Sequence, residues 1–197
     1  MHLTSAAVSA MDLEGSALAL WNEFLAHYFD GNPHTVGANS PAIAFPKAVL
    51  RYQESRLPQP LSGDIGISVV WVAPSKTETY WDTLNAVEAQ ALGNPSEKRQ
   101  QRVVAKCAWL FLIRSANSTD TPENAQRAVQ SAAGKLYGLL MNSAETQCLA
   151  EKGISKLRPE SPRMGFKGDG APTEDLGFRL RILSCAGVLR YPVLSQT

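Results

Sequence analysis

Three histidines, three cysteines and scattered carboxylates are the residues of this chain most suited to chemistry, and their spacing tells against most of it. A metal site needs clustered ligands, yet His2, His27 and His34 share no ligand spacing with one another or with any cysteine. Cys107, Cys148 and Cys185 are widely separated and odd in number, and two of them fall in apolar strand patterns. They are expected to be reduced packing residues of an intracellular product rather than a disulfide framework. Gly165, Gly168 and Gly170 do not follow the dinucleotide-binding order, and no strand leads through them into a helix. Gly134-Lys135 lies within a helical pattern, without the loop that cradles phosphate. There is no G-x-S-x-G elbow and no H-E-x-x-H pair. Glu174 and Asp175 are adjacent carboxylates in a loop pattern and read as solvated. The residues give no catalytic, metal-binding or cofactor-binding candidate.

The elements that position these residues are clearer than the chemistry. From Val103 to Ile113 every odd residue is apolar (Val103, Ala105, Cys107, Trp109, Phe111, Ile113), and the even face is apolar only at Ala108, Leu110 and Leu112. Such a strand belongs inside a sheet covered on at least one side. Polar residues from Ser115 to Thr121 form a turn. Thr121 then suits an N-cap, Pro122 the first helical position and Glu123 the positive end of the helix. The stripe Ala125, Ala128, Val129, Ala132, Leu136, Leu139 and Leu140 should lay this helix on the strand before it.

Earlier in the chain, residues 1–11 read as loose. Asp12 to Phe29 carries a helical stripe through Trp21 and Phe24, and Gly31-Asn32-Pro33 stops it. Residues 31–46 read as a loop, Lys47–Ser55 as a short strand, and Ile65–Val72 as an alternating strand closed by Pro74. Tyr80, Trp81, Leu84, Val87 and Ala91 fit an insertion helix within 76–95. Downstream, Asn142 and Glu145 have capping-box spacing for a short helix ending at Gly153. A strand over Ile154–Arg158 follows. Residues 163–177, rich in glycine, read as a flexible arm. A final strand runs from Phe178 to Tyr191, with Gly187 marking a bulge or bend. Trp71 and Trp109 alternate in phase with strand cores, whereas Trp21 and Trp81 suit either the core or a subunit interface.

Length and composition bound the rest. A chain of 197 residues with 44% hydrophobic and 19% charged residues is sized for a single globular domain, 1–197. Its longest apolar run, Cys107–Ile113, is far short of a membrane span, and the N-terminus has no basic region of a signal peptide. The net charge of +1 is unevenly spread. Residues 1–97 hold four Lys/Arg against ten Asp/Glu, and residues 98–197 hold fifteen against eight. This asymmetry can mark a nucleic-acid surface or copies stacked acidic face on basic face, but the basic residues are scattered through several elements with no Lys/Arg run and little aromatic interleaving, which tells against a direct, specific nucleic-acid site.

Taken in order, the segments VVAKCAWLFLIRSANSTDTPENAQRAVQSAAGKLYGLL, KGISKLRP and FRLRILSCAGVLRYPV resemble the tail terminator (tail completion) proteins of long-tailed bacteriophages. The helix read at 76–95 departs from the plainest form of that family. The resemblance implies an α/β (α+β) subunit with a mixed, mostly antiparallel sheet flanked by helices, and no catalysis or cofactor. It implies a homohexameric ring on the tail tube, with the tube protein and a neck or head-completion protein as partners, no membrane, and genomic DNA passing through the lumen without specific binding. The location would be the virion, after assembly in the host cytoplasm. In such a ring Arg99, Arg102, Lys167 and Asp169 are candidates for the lumen or the subunit interface. A neck or head–tail connector protein is the alternative within the virion. A small intracellular α/β enzyme is the alternative of another class.

Overall fold

The computed structural model describes residues 1–29, 43–44, 65–83, 99–115, 122–164, 166–167, 171–172 and 180–193. In chain order these form α1 (Leu13–Phe29), β1 (Ile43–Ala44), β2 (Ile65–Thr83), β3 (Arg99–Ser115), α2 (Pro122–Met141), α3 (Gln147–Glu151), β4 (Ile154–Pro159), β5 (Arg163–Met164), β6 (Phe166–Lys167), β7 (Ala171–Pro172) and β8 (Leu180–Pro192). The main sheet has the order β1-β2-β3-β8-β4, with β5 also on β8. Four strands, β2, β3, β8 and β4, pair antiparallel, and β1 adds a short parallel pairing at Ile65–Gly66. The fold is therefore the expected mixed, mostly antiparallel α+β type.

The alternation of β3 sets the layers. Its odd residues Ala105, Cys107, Trp109, Phe111 and Ile113 are buried. Their register partners Leu189, Gly187, Cys185, Leu183 and Arg181 on β8 share the same face. Both long helices lie on that face. Trp21 of α1 meets Trp109 and Phe111 edge-on, with ring centroids 5.2 and 5.1 Å away. From α2, Val129, Ala132, Leu136 and Leu140 of the predicted stripe join the same core, together with Ala133, which the stripe did not include. The indole N–H groups of Trp21 and Trp109 are buried without a hydrogen-bond partner. Aromatic packing must outweigh that cost.

Gly187 stays in regular register with Cys107 on β3, so it is not a bulge in that ladder. A Cβ there would lie 2.6 Å from Cζ3 of Trp109 and 3.0 Å from Cδ2 of Leu157. The glycine makes room for the indole. The irregularity is on the neighbouring strand. Between Ser155↔Val188 and Arg158↔Ala186, two β4 residues stand opposite Gly187 alone. Within this bulge Lys156 has φ +52°, a left-handed value unusual for a residue with a side chain.

Four sequence expectations need correction. The chain from Lys76 to Thr83 is not an insertion helix but the second half of β2, paired with Arg99–Lys106. The segment KTETYWDT is rich in Thr, Tyr and Trp, which favour a pleated strand, and the long partner strand decides for it. Residues 84–95 of the expected helix lie outside the described residues. Pro74 likewise does not close β2, because the register shifts between Val72 and Lys76 and pairing resumes. A proline is tolerated in such an irregularity since no ladder N–H is required of it. The Gly-rich 163–177 segment is partly strand: β5 pairs with β8, and β6 pairs with β7 through Phe166↔Pro172 and Lys167↔Ala171. Finally, Ile43–Ala44 within the expected loop is a strand. The expected strand at Lys47–Ser55 and the Thr121 cap lie outside the described residues, whereas Pro122 is the first residue of α2 as expected.

The N-terminal segment is also not loose. Leu3 and Val8 are buried, and the Val8 N–H donates to the Lys152 carbonyl at 2.9 Å. Glu23 on α1 accepts from the Thr4 N–H (2.6 Å), the Thr4 hydroxyl (2.8 Å) and the Ser5 N–H (2.8 Å). Burial raises the pKa of this carboxyl, but the hydrogen bonds outweigh it and hold the group at about 2, below the ordinary 4.5. A carboxyl depressed in the folded state adds stability when ionised. The contribution is full above about pH 4.5 and is lost as pH falls toward 2. Hydrogen exchange should therefore show the Thr4 and Ser5 amides protected at neutral pH and released across that acid window. Glu23→Gln should release them at neutral pH. Equal protection in the variant would mean that the carboxylate does not hold the segment.

Candidate assembly surface

The even face of the sheet carries no described helix, and its two halves differ. Toward the Ser115 end of β3 it is apolar. Leu110 and Ile182 are half-buried and Leu112 is 2% exposed, although Leu112 lies outside the helix-side core. The apolar centre on both faces of β3 is thus real. Toward the other end the face is polar. Lys106, Glu78, Arg158 and Arg190 are exposed, and Ala186, in the middle of the sheet, is exposed between them. A small side chain open to solvent at a central position means that no described element covers the sheet at that point. The Arg190 guanidinium lies over the Tyr80 ring, 5.7 Å from its centroid.

The bulge in β4 builds part of this surface. Without the extra residue, counting on from Ser155↔Val188 would bring Arg158 opposite Cys185, on the helix side. With it, Arg158 stands opposite Ala186 on the open face, and Pro159 takes the place opposite Cys185. Leu157 packs instead against the core. Side chains alternate with period two, so one inserted residue exchanges the two faces.

The residues expected at a lumen or interface are not brought together. Arg102 sits between Tyr80 on β2 and Pro192 on β8 and is only 9% exposed. Its strand is paired on both sides and its side chain is enclosed, so within the subunit it is not the exposed charge that a lumen or interface candidate was expected to offer. Arg99 opens β3 opposite Thr83, beyond the last β8 pairing at Arg102. Lys167 lies in the small β6–β7 pair. Asp169 lies outside the described residues. Arg158 and Arg190 were missed. Arg190 follows the alternation of β8, which could have placed it, but no sequence signal marks the bulge that turns Arg158.

A second polar cluster ties α1 to the α2–α3 corner. The Tyr28 hydroxyl donates to Glu145. The Lys135 ammonium donates to the Tyr28 carbonyl at 2.7 Å and lies 4.6 Å from the Phe29 ring centroid. Burial, with Glu145 adding to it, pushes the Tyr28 phenol up. Burial pushes the Lys135 ammonium down. The expected Asn142–Glu145 capping box does not form in its reciprocal sense: Asn142 Oδ1 accepts from Ala144 N–H at 3.0 Å, while Glu145 turns to Tyr28. Each member is engaged in joining elements, so the cluster acts as a clasp.

The cysteines are free and buried. Burial pushes Cys107 and Cys185 up to about 12 and raises Cys148 as well. Thiols so placed stay protonated at neutral pH and pack rather than attack. Among the described residues no three His, Cys, Asp or Glu side chains gather as metal ligands, and no helix is long and apolar enough to cross a membrane. Comparison with protein-family models and with curated proteins finds no match for the chain.

Proposed function

We propose that this chain is a structural virion subunit that forms a ring on the end of a phage tail tube, ends tube growth and presents a surface to the head-side neck proteins. The observation that carries the reading is the element order from β3 onward. The three segments that resemble tail terminators lie side by side in the fold: the first spans β3 and α2, the second holds β4, and the third holds β8, which lies between β3 and β4 in the sheet. Two further features support it. No described helix covers the even face of the sheet, whose polar end exposes Lys106, Glu78, Arg158 and Arg190, and the charge is divided between the two halves of the chain. Unlike charges favour head-to-tail contacts, and heterologous contacts form a ring where the rotation between copies closes.

The test is mass and shape. Light scattering of the purified chain, alone and with tail tube protein, should give a sixfold multiple of 21.3 kDa, and negative-stain images should show a central hole. Added to polymerising tube protein, the chain should stop elongation. A monomer under all these conditions, with tube length unchanged, would refute the proposal. A neck or connector protein would form a ring but leave tube length alone.

A further inference from the structure

We infer that the outer edge of β2 over Lys76–Thr83 is a pairing surface for a second copy of this chain, β2 against β2 about a two-fold axis. The contact is isologous and independent of the proposed ring, whose head-to-tail contacts use other surfaces.

The phase of the backbone gives the groups that this edge offers. The Val193 N–H donates to the Gln101 carbonyl at 2.9 Å, so Gln101 turns its backbone groups toward the β8 side. In an antiparallel ladder successive residues turn theirs to opposite sides. Arg102 and Val104 therefore bond toward β2, to their register partners Tyr80 and Glu78. Thr77, Thr79, Trp81 and Thr83 turn their N–H and C=O groups away from β3. Among the described residues only β1 pairs with that side of β2, and it reaches no further than Ile65–Gly66. The irregularity between Val72 and Lys76 separates the two halves of the strand. Thr77, Glu78 and Thr79 are exposed and alternate in face, so both faces of the strand meet solvent there.

The opposite edge of the sheet is built differently. β4 carries the bulge, with Lys156 exposed in a left-handed conformation, and ends on Pro159. The Glu160 N–H donates to the Ser184 carbonyl. By the same alternation Pro159 turns its nitrogen outward, where an added strand would need an N–H. Bulges, lysine and proline are the devices by which soluble sheets block edge-to-edge pairing. Thr77–Trp81 has none of them and is rich in residues that favour a strand. An edge left unblocked is a template for another strand, and β2 of a second copy meets it without encountering the blocked β4.

Charge selects the register. Both copies must offer odd residues to each other, so an antiparallel pair centres on a single residue. Centred on Glu78, it sets that carboxylate against its own copy. Centred on Tyr80, it sets Glu78 opposite Asp82. Like charges directly opposite are destabilising. Centred on Thr79, it places Lys76 opposite Asp82, Thr77 opposite Trp81 and Glu78 opposite Tyr80. The two strands then overlap over Lys76–Asp82, about 20 Å, with unlike charges at both ends. Main-chain groups make the contact, so the Arg190 guanidinium keeps its place over the Tyr80 ring.

Sedimentation and light scattering across a range of concentrations test the pairing. Wild-type chain should reach twice 21.3 kDa, or twice the ring mass where rings form. Thr79→Pro removes an N–H from the free side of β2 and no ladder bond to β3, and it should abolish the doubling. Lys76→Asp sets two carboxylates opposite each other and should weaken association at least about fivefold. Adding Asp82→Lys reverses the pair and should restore it. Far-ultraviolet circular dichroism checks that each variant is folded. Wild-type chain that never doubles, a folded Thr79→Pro variant that associates like wild type, or a double variant no tighter than Lys76→Asp would each overturn the assignment. A sixfold mass that never doubles would sink this edge and leave the ring standing. A dimer that Thr79→Pro dissolves, with no ring in any condition, would uphold the edge and sink the ring.

Discussion

Phe111→Ala should cost about 3–5 kcal/mol in reversible denaturant unfolding. Phe111 is fully buried on the helix side of β3, and Trp21 of α1 meets it at 82° between ring planes. Its register partners Val69 and Leu183 are themselves buried. Truncation removes the transfer free energy of the ring and leaves a cavity that these neighbours fill only in part. Because Trp21 also rests on Trp109 and Phe24, it cannot follow the missing ring without losing those contacts. The loss should therefore sit at the upper end for a single core substitution. A cost under about 1 kcal/mol would show that the aromatic layer between α1 and β3 is misplaced.

The second large effect is expected at Gly153. It follows α3 and its cap residue Lys152, has φ +103°, and its carbonyl accepts the Arg190 N–H at 2.8 Å. A Cβ would press on the Arg190 carbonyl oxygen, a backbone atom, with Val8 Cβ only 3.3 Å away on another side. Neither the left-handed conformation nor the close approach suits a side chain. Gly153→Ala should cost about 2–4 kcal/mol, combining backbone strain with overpacking. Gly138→Ala is the informative control. Gly138 is exposed in α2 and a Cβ there meets nothing within 4 Å, so alanine should be neutral or stabilising by up to about 1 kcal/mol. If the two substitutions behave alike, the α3–β4 turn is not tied to β8 as described.

These two sites differ in how far they could be read from the sequence. The burial of Phe111 follows from alternation alone: with period two, Trp109 and Phe111 must share a face, and both do. The start of α2 at Pro122 and its buried stripe follow from residue types that have one favourable place in a helix. The halt of α3 at Gly153 was legible for the same reason. What presses on Gly153 was not, since Val8 and Arg190 come from the two ends of the chain.

Local patterns determined the elements, and long-range pairing decided where local preference was divided. Tyr80 and Trp81 fit a helical stripe as well as they fit a strand, and only the ladder to Arg99–Lys106 makes Lys76–Thr83 a strand. Residues 1–11 have no periodicity, yet Glu23 and Lys152 hold Thr4, Ser5 and Val8 through hydrogen bonds that composition does not announce. Glu145 had the spacing of a cap and found Tyr28 instead. The candidate surface shows the division most clearly. The sequence by itself determined that the second half of the chain is basic and that β8 alternates. Only the tertiary structure decided that Arg102 is enclosed between β2 and β8 while Arg158, turned by one extra residue in β4, faces solvent. The physical reason is that a charge carries no direction in a sequence. Its direction is set by strand register, and register is a property of the pair of strands.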